Sequence, residues 1–211
     1  EPLYTVDDAK GAAACFRPCR YGECVTIADG LRVRFSDIGH LLGSACIEFW
    51  LREDGTEKKI VFSGDVGNID QPILNDPLPV AETDYLVVES TYGNRLHDKP
   101  KDVRAELTEV LQRAFDRGGS VIIPAFAVGR TQELLYLLRE IKQKKLVHGH
   151  DGFPVYLDSP LAEEATSVFL QCDTDCFDPE TQAVLKSGQN PIWCPGLQFA
   201  ITAEDSKAIN S

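Results

Sequence analysis

The chain contains 211 residues, of which 43% are hydrophobic and 26% are charged, and its formal net charge is −12. This size and composition fit one large domain or two small ones with a buried core, and they exclude a disordered chain. No apolar run approaches the roughly 20 residues that a membrane-spanning helix needs, and the acidic balance excludes a wholly basic nucleic-acid-binding surface, although a basic or metal-lined cleft stays compatible with it.

The start of the chain and its cysteines bear on the cellular compartment. Residues 1–4 contain neither the basic region nor the apolar stretch of a signal peptide. The sequence has no methionine, which favours a piece of a longer protein. Seven cysteines, an odd number, favour reduced thiols in the cytoplasm. Two C-x3-C pairs leave a zinc held by four thiolates open as the less favoured alternative, and these pairs are Cys15 with Cys19 and Cys172 with Cys176.

The first hundred residues predict β-structure. Asp29-Gly30 separates two runs of alternating polarity, and Asp54-Gly55 lies in a loop between two more. An Asp-Gly pair between such runs is typical of a β-hairpin. A short apolar run after a proline-containing loop predicts a buried strand. The predicted strands are residues 25–28, 31–35, 45–51, 59–63 and 85–88.

The pattern changes near residue 95, where we place a domain boundary. Apolar residues then recur at helical spacing until Gly118-Gly119 ends the first helix. Strands and helices alternate from there, which predicts a parallel α/β sheet. The end of the chain, around Pro191, Pro195 and Gly196, is expected to be irregular. The predicted elements are a helix at 102–115, a strand at 120–124, a helix at 131–142, a strand at 154–158 and a helix at 161–170.

Three loops place a potential metal ligand just after a predicted strand. His40 lies in a turn flanked by Gly39 and Gly43, and neutral imidazole is a common metal ligand. Asp65 lies between Gly64 and Gly67, and its two oxygens could bridge two cations. Glu89 directly follows a strand. Taken singly, each has an ordinary structural explanation: a hydrogen-bonded turn histidine, an aspartate turn and a solvated glutamate.

Taken together, these loops resemble one family. Residues 39–45 (GHLLGSA), 62–67 (FSGDVG) and 89–93 (ESTYG) are similar, in this order, to the third and fourth metal-binding motifs and the first β-CASP motif of metallo-β-lactamase-fold RNA hydrolases. Residues 124–133 (PAFAVGRTQE) and 156–162 (YLDSPLA) resemble parts of the β-CASP insert. The family includes ribonuclease J and the endonuclease of pre-mRNA 3′-end processing.

The resemblance implies a fold and a domain division. The expected fold class is α/β, with part of a metallo-β-lactamase αββα sandwich followed by part of an α/β β-CASP insert with a parallel sheet. Residues 1–95 would form an incomplete metallo-β-lactamase-like segment, and residues 96–211 an incomplete β-CASP-like segment. The family's two-His, Asp-His cluster and its later histidine motifs find no match here, so the resemblance places them outside this chain.

The resemblance also implies roles for particular residues. His40 and Asp65 would be metal ligands, with Asp65 bridging two zinc ions in the complete parent site. Asp65 and Glu89 would be the catalytic carboxylates, with Glu89 supporting the metal ligands without contacting the metal itself. The expected function is zinc-dependent hydrolysis of RNA phosphodiester bonds by the parent protein in the cytoplasm, with this chain inactive alone. RNA is the expected partner, no membrane contact is expected, and self-association stays open.

Other polar residues have weaker assignments. Arg130 lies at the start of a predicted helix, where free N–H groups favour anions, so it could bind an RNA phosphate, pair with Glu133 or face water. Ser159 could also bind phosphate, but capping of the helix that starts with Pro160 explains it sufficiently. Among the remaining histidines, His97 could line the cleft, whereas two are expected to be solvated, namely His148 and His150.

Two further functional hypotheses stay open. The first is a non-catalytic scaffold or RNA-binding paralogue of the same superfamily, which an incomplete metal cluster in the parent would favour. The second is a small-molecule hydrolase of that superfamily, against which the long segment of alternating strands and helices after Glu89 argues.

Overall fold

The computed structural model describes residues 2–96 and 102–209, so that His97 lies outside the described residues. The chain is a mixed α/β protein. Its strands are β1 (Cys24–Ala28), β2 (Leu31–Asp37), β3 (Ala45–Glu53), β4 (Thr56–Phe62), β5 (Tyr85–Val87), β6 (Val155–Leu157) and β7 (Leu197–Phe199). Its helices are α1 (Val6–Ala14), α2 (Val103–Phe115), α3 (Arg130–Gln143), α4 (Pro160–Gln171), α5 (Pro179–Lys186) and α6 (Ala203–Ala208), with a 3-10 turn at Thr174–Cys176.

The larger sheet has the order β1-β2-β3-β4-β5, with four antiparallel strands and β5 parallel to β4. Both predicted hairpins are confirmed. At the second hairpin Asp54 and Gly55 have φ values of 49° and 78°, as a type I′ turn requires. The predicted parallel sheet is small, because β6 and β7 are its two strands among the described residues. The α/β class is therefore confirmed in this form, a mostly antiparallel sheet followed by a small parallel one.

The main core surrounds α3. Leu135, Leu138 and Ile141 recur at helical spacing on one face of α3 and are almost completely buried. They pack with buried side chains of α2, α4 and the two-stranded sheet, among them Leu111 and Phe169. A smaller cluster of Ile38, Cys46 and Val61 lies in the larger sheet. The predicted helices at 102–115, 131–142 and 161–170 are confirmed to within one or two residues.

Three predictions about local structure were wrong in whole or in part. Residues 120–124 form no strand, and Ile122 is 89% exposed, because the described residues provide no neighbouring strand for them. The strand near residue 85 exists, but it is exposed, since in the part of the chain that the structure describes it is an edge strand, with β4 as its neighbour. The chain around Pro191, Pro195 and Gly196 is irregular, as predicted, but it then continues into β7 and α6, where Thr202 caps α6 through a hydrogen bond from Asp205 N.

The two predicted segments contact each other through the loop after β4. The Asp178 N–H donates to the Ile73 carbonyl at 3.0 Å. Asn75 Nδ2 donates to the Asp175 carbonyl at 3.1 Å. Ile73 is 1% exposed and belongs to the main core, so this loop anchors the amino-terminal sheet to the helical part. The division at residues 95 and 96 stays a prediction.

A buried carboxylate joins three strands of the sheet. Glu48 on β3 is completely buried and forms ion pairs with Arg34 at 2.5 Å and Lys59 at 2.7 Å. Burial raises the pKa of Glu48, but hydrogen bonds from Arg34 and Lys59 outweigh burial and lower this pKa from 4.5 to about 2. The unfolded chain therefore takes up a proton at Glu48 at higher pH than the folded one does.

We expect Glu48→Gln to lower the free energy of unfolding at pH 7 by roughly 3 kcal/mol, because it leaves the largely buried Lys59 unpaired. The effect of Glu48 is fully present above pH 4.5 and declines as pH falls towards 2. Urea denaturation at pH 7 and pH 3 should show a smaller difference between wild type and variant at pH 3. The matched control is Glu57→Gln, which removes an exposed partner of Arg32 and should cost less than about 1 kcal/mol. Equal losses at both pH values would contradict the prediction.

Candidate functional site

The turn after β2 presents His40 to solvent. Asp37 Oδ1 accepts the Gly39 N–H at 2.9 Å, which starts the turn. Ser44 Oγ accepts the N–H groups of His40 and Leu41, each at 3.1 Å. The backbone of the turn is therefore held by side chains on both flanks, while the imidazole stays exposed.

The turn after β4 carries Asp65 and packs directly on the His40 turn. The Gly67 N–H donates to the Ile38 carbonyl at 2.9 Å. A Cβ at position 67 would lie 2.0 Å from the carbonyl oxygen of Gly39, a distance that no side chain can adopt. Only glycine lets the two turns approach this closely. Gly67 therefore brings the two predicted ligand loops together, a role that the sequence did not reveal.

The Glu89 side chain contacts the backbone of the Asp65 turn. Its Oε1 accepts the N–H of Val66 at 2.6 Å, and its own N–H donates to Ser63 Oγ at 3.1 Å. A hydrogen bond from the Thr91 side chain, followed by the one from Val66, lowers the pKa of Glu89. Glu89 is therefore an ionised carboxylate that fixes the backbone next to Asp65.

The side chains of His40 and Asp65 approach each other where the two turns are packed together. His40 Nε2 and Asp65 Oδ2 are 3.9 Å apart, and both side chains are well exposed. Two donors that each lie about 2.0–2.2 Å from one zinc ion are separated by roughly 3–4 Å. An imidazole nitrogen and a carboxylate oxygen also suit zinc chemically. The pair therefore fits as two ligands of a metal ion, although no group of three or more metal-ligating side chains occurs among the described residues.

The first turn of α3 approaches the same site from the other segment. Arg130 Nη1 donates to Glu133 Oε2 at 2.6 Å, so that Arg130 adopts the pairing that the sequence left open. Burial raises the pKa of Glu133, while the charges of Arg130 and His40 act in the opposite direction. A Cβ built at Gly129, the residue before α3, would lie 2.4 Å from Leu41 Cδ2, so the start of α3 lies against the turn that carries His40. Sequence reasoning missed this contact.

The remaining candidates lie outside this group. Ser159 Oγ accepts the Ala162 N–H at 3.2 Å, so the predicted helix cap is confirmed. His150 pairs with Asp116 at 3.1 Å, and the neighbouring His148 binds Gln112 through its backbone. The seven cysteines are free thiols. No helix of the described residues is both long and apolar enough to cross a membrane.

Comparisons with known proteins cover the whole chain. Residues 131–211 match the Beta-Casp domain. The chain is 36% identical to a ribonuclease of Thermus thermophilus, over 100% of this chain and 46% of the relative. It is 33% identical to a ribonuclease J-like protein of Methanocaldococcus jannaschii, over 90% and 44%. It is 36% identical to the transcription termination factor FttA of Methanosarcina mazei, over 83% and 27%. The chain thus spans less than half the length of these relatives.

Proposed function

Because the chain belongs to the β-CASP family of metallo-β-lactamase-fold RNA hydrolases, we propose that the protein containing it hydrolyses RNA phosphodiester bonds with zinc as its metal. The observation that supports this most directly is the approach of His40 and Asp65 to 3.9 Å on two turns that Gly67 packs together. The ribonuclease relative aligns with 100% of this chain.

Each residue of the site has a separate part in this proposal. His40 and Asp65 would hold the metal, Asp65 as a ligand of both zinc ions of the complete site, together with ligands from outside the described residues. Glu89 accepts the Val66 N–H and so keeps the Asp65 carboxylate aimed at the metal position. When bound, zinc supplies Lewis-acid stabilisation of a phosphoryl oxygen and lowers the pKa of a water molecule. The exposure of both ligands leaves room for a polymeric substrate.

The substrate assignment is tested with single-stranded RNA, duplex DNA and a β-lactam, each incubated with the full-length protein and zinc. We expect cleavage of the RNA, because the β-CASP segment accompanies the metal turns. Cleavage should disappear with a chelator and return with added zinc. Hydrolysis of the lactam alone would contradict the proposal, and RNA binding without cleavage by the zinc-loaded protein would favour the scaffold alternative.

Arg130 is proposed to contact an RNA phosphate, with Ser159 as a weaker candidate. The Arg130 side chain is 59% exposed despite its ion pair, so a phosphate can reach its free N–H groups. We expect Arg130→Ala to weaken RNA binding by about 1–3 kcal/mol while zinc binding is retained. The measurement is RNA affinity by fluorescence anisotropy. The control is Arg113→Ala, another exposed helical arginine beside a glutamate, and equal effects of the two changes would show that Arg130 has no specific contact.

A cytoplasmic location is also proposed, because all seven cysteines are free thiols. Thiol labelling of the denatured protein, purified from cells in the absence of reductant, should modify all seven. Disulfide-linked cysteines in that sample would contradict this location.

A further inference from the structure

A cavity of about 340 Å³ adjoins the turn that carries Asp65. One wall is formed by residues 66–68 of that turn, and the other by residues 88–93, which follow β5. The first wall begins one residue after Asp65, and consecutive Cα atoms are about 3.8 Å apart. The cavity therefore opens beside one of the two proposed metal ligands, and its volume lies within the range of about 300–1,000 Å³ that is usual for small-molecule sites.

Hydrogen bonds hold the two walls of the cavity in place. Glu89 Oε1 accepts the Val66 N–H at 2.6 Å, and the Glu89 N–H donates to Ser63 Oγ at 3.1 Å, so that Glu89 ties one wall to the other. Within the second wall the Gly93 N–H donates to the Ser90 carbonyl at 3.0 Å. A Cβ at position 93 would lie 3.2 Å from the same oxygen, so glycine lets this turn close without a tight contact. The shape of the cavity is therefore set by the protein's own backbone.

The chemistry of the lining suits a flat, uncharged group. Tyr92 is 46% exposed, and the guanidinium carbon of Arg95 lies 4.6 Å from the centroid of its ring, an attractive contact that favours one orientation of the ring. Val66 and Val88 give the cavity apolar surface. The carboxylate of Glu89 also lines the cavity and would repel a phosphate. An aromatic ring with apolar walls and a nearby carboxylate favours the base of a nucleotide over its phosphate.

We propose that this cavity binds one nucleobase of the RNA substrate, stacked on Tyr92, while a phosphate next to that nucleoside occupies the metal position at Asp65. The inference rests on the proposed function and adds Tyr92 as a substrate-binding residue. A base is joined to its phosphate through a single ribose, so a base in the cavity places a phosphate beside the Asp65 turn. Unstacked bases of single-stranded RNA stack readily on aromatic side chains. Every base offers a π-face, so Tyr92 accepts any of the four.

The first test measures single-turnover cleavage of RNA at increasing concentrations of the zinc-loaded, full-length protein. Tyr92→Ala should raise the protein concentration at half-maximal rate by about 5- to 100-fold, the loss expected for one stacked base. The maximal rate should change little, because stacking stabilises the bound substrate and the transition state alike. Tyr92→Phe keeps the ring and should restore most of the affinity. The control is Tyr4→Ala, which removes an exposed tyrosine before α1. An unchanged half-maximal concentration in Tyr92→Ala would overturn the proposal.

The second test uses RNAs in which one nucleotide at a time lacks its base. For wild-type protein, one abasic position next to the cleavage site should weaken binding by the same about 5- to 100-fold. In Tyr92→Ala that position should have no further effect, because the two changes remove the same contact. A variant that merely misfolds would lose affinity for every RNA, the abasic one included. Equal effects of the abasic position in wild type and Tyr92→Ala would contradict the stacking. Wild-type protein that cleaves none of these RNAs would instead refute the proposed function, so the two failures are distinguishable.

Discussion

Replacing Asp65 with alanine is expected to lower the rate of RNA cleavage by on the order of a thousandfold. The metal would lose a ligand that is placed 3.9 Å from His40 Nε2, so that less metal is bound and the remaining ion is misplaced. Metal ions contribute several kcal/mol of transition-state stabilisation to such reactions, and each loss of about 1.4 kcal/mol is a tenfold loss in rate. The folded structure should persist, because the Asp65 side chain is 74% exposed and packs against little.

The measurement combines zinc content with single-turnover cleavage of a labelled RNA. Wild-type protein should contain two zinc ions per chain, and Asp65→Ala should retain fewer than two after dialysis. A matched control is Asp151→Ala, which removes another exposed aspartate that lies 3.8 Å from Lys145. Two firmly bound zinc ions in Asp65→Ala would show that Asp65 does not bridge them. Unchanged cleavage would remove it from the reaction altogether.

The parts of the fold that the sequence predicted correctly are those controlled by local chemistry. Asp54-Gly55 specifies a turn whether or not the rest of the chain is folded, because both residues accept a positive φ. The apolar spacing along α3 likewise gave its bounds to within one residue. Residues 120–124 have the composition of a strand, but a strand also needs a partner, which depends on the positions of distant residues. For the same reason composition could not reveal that the strand near residue 85 is an exposed edge.

In the candidate site, too, the sequence predicted the features that depend on local residue type and missed those that depend on packing. His40, Asp65 and Glu89 were identified from residue type and flanking glycines, and the structure brings all three loops together. What could not be predicted is the contact that unites them, because the role of Gly67 depends on the Gly39 carbonyl, 28 positions earlier. The contact between Gly129 and Leu41 likewise arises from the packing of two segments, which no local pattern encodes.

The 211-residue chain by itself is expected to show no zinc-dependent RNA cleavage, and the reason is the number of available ligands. A catalytic zinc ion needs three protein ligands and one open position. The described residues bring together one imidazole and one carboxylate, with Glu89 already committed to the Val66 N–H. Two ligands on separate turns hold zinc weakly.

The test is to purify this exact chain, load it with zinc, and assay cleavage of single-stranded RNA beside its Asp65→Ala variant and the full-length protein. We expect the chain and its variant to share the same background rate, while circular dichroism shows that both are folded. The hairpins and α3 should survive isolation, because their turns, caps and apolar spacing agree with one another. Cleavage by the chain that Asp65→Ala abolishes would contradict the prediction. It would mean that residues such as His97, or a second copy of the chain, complete the metal site.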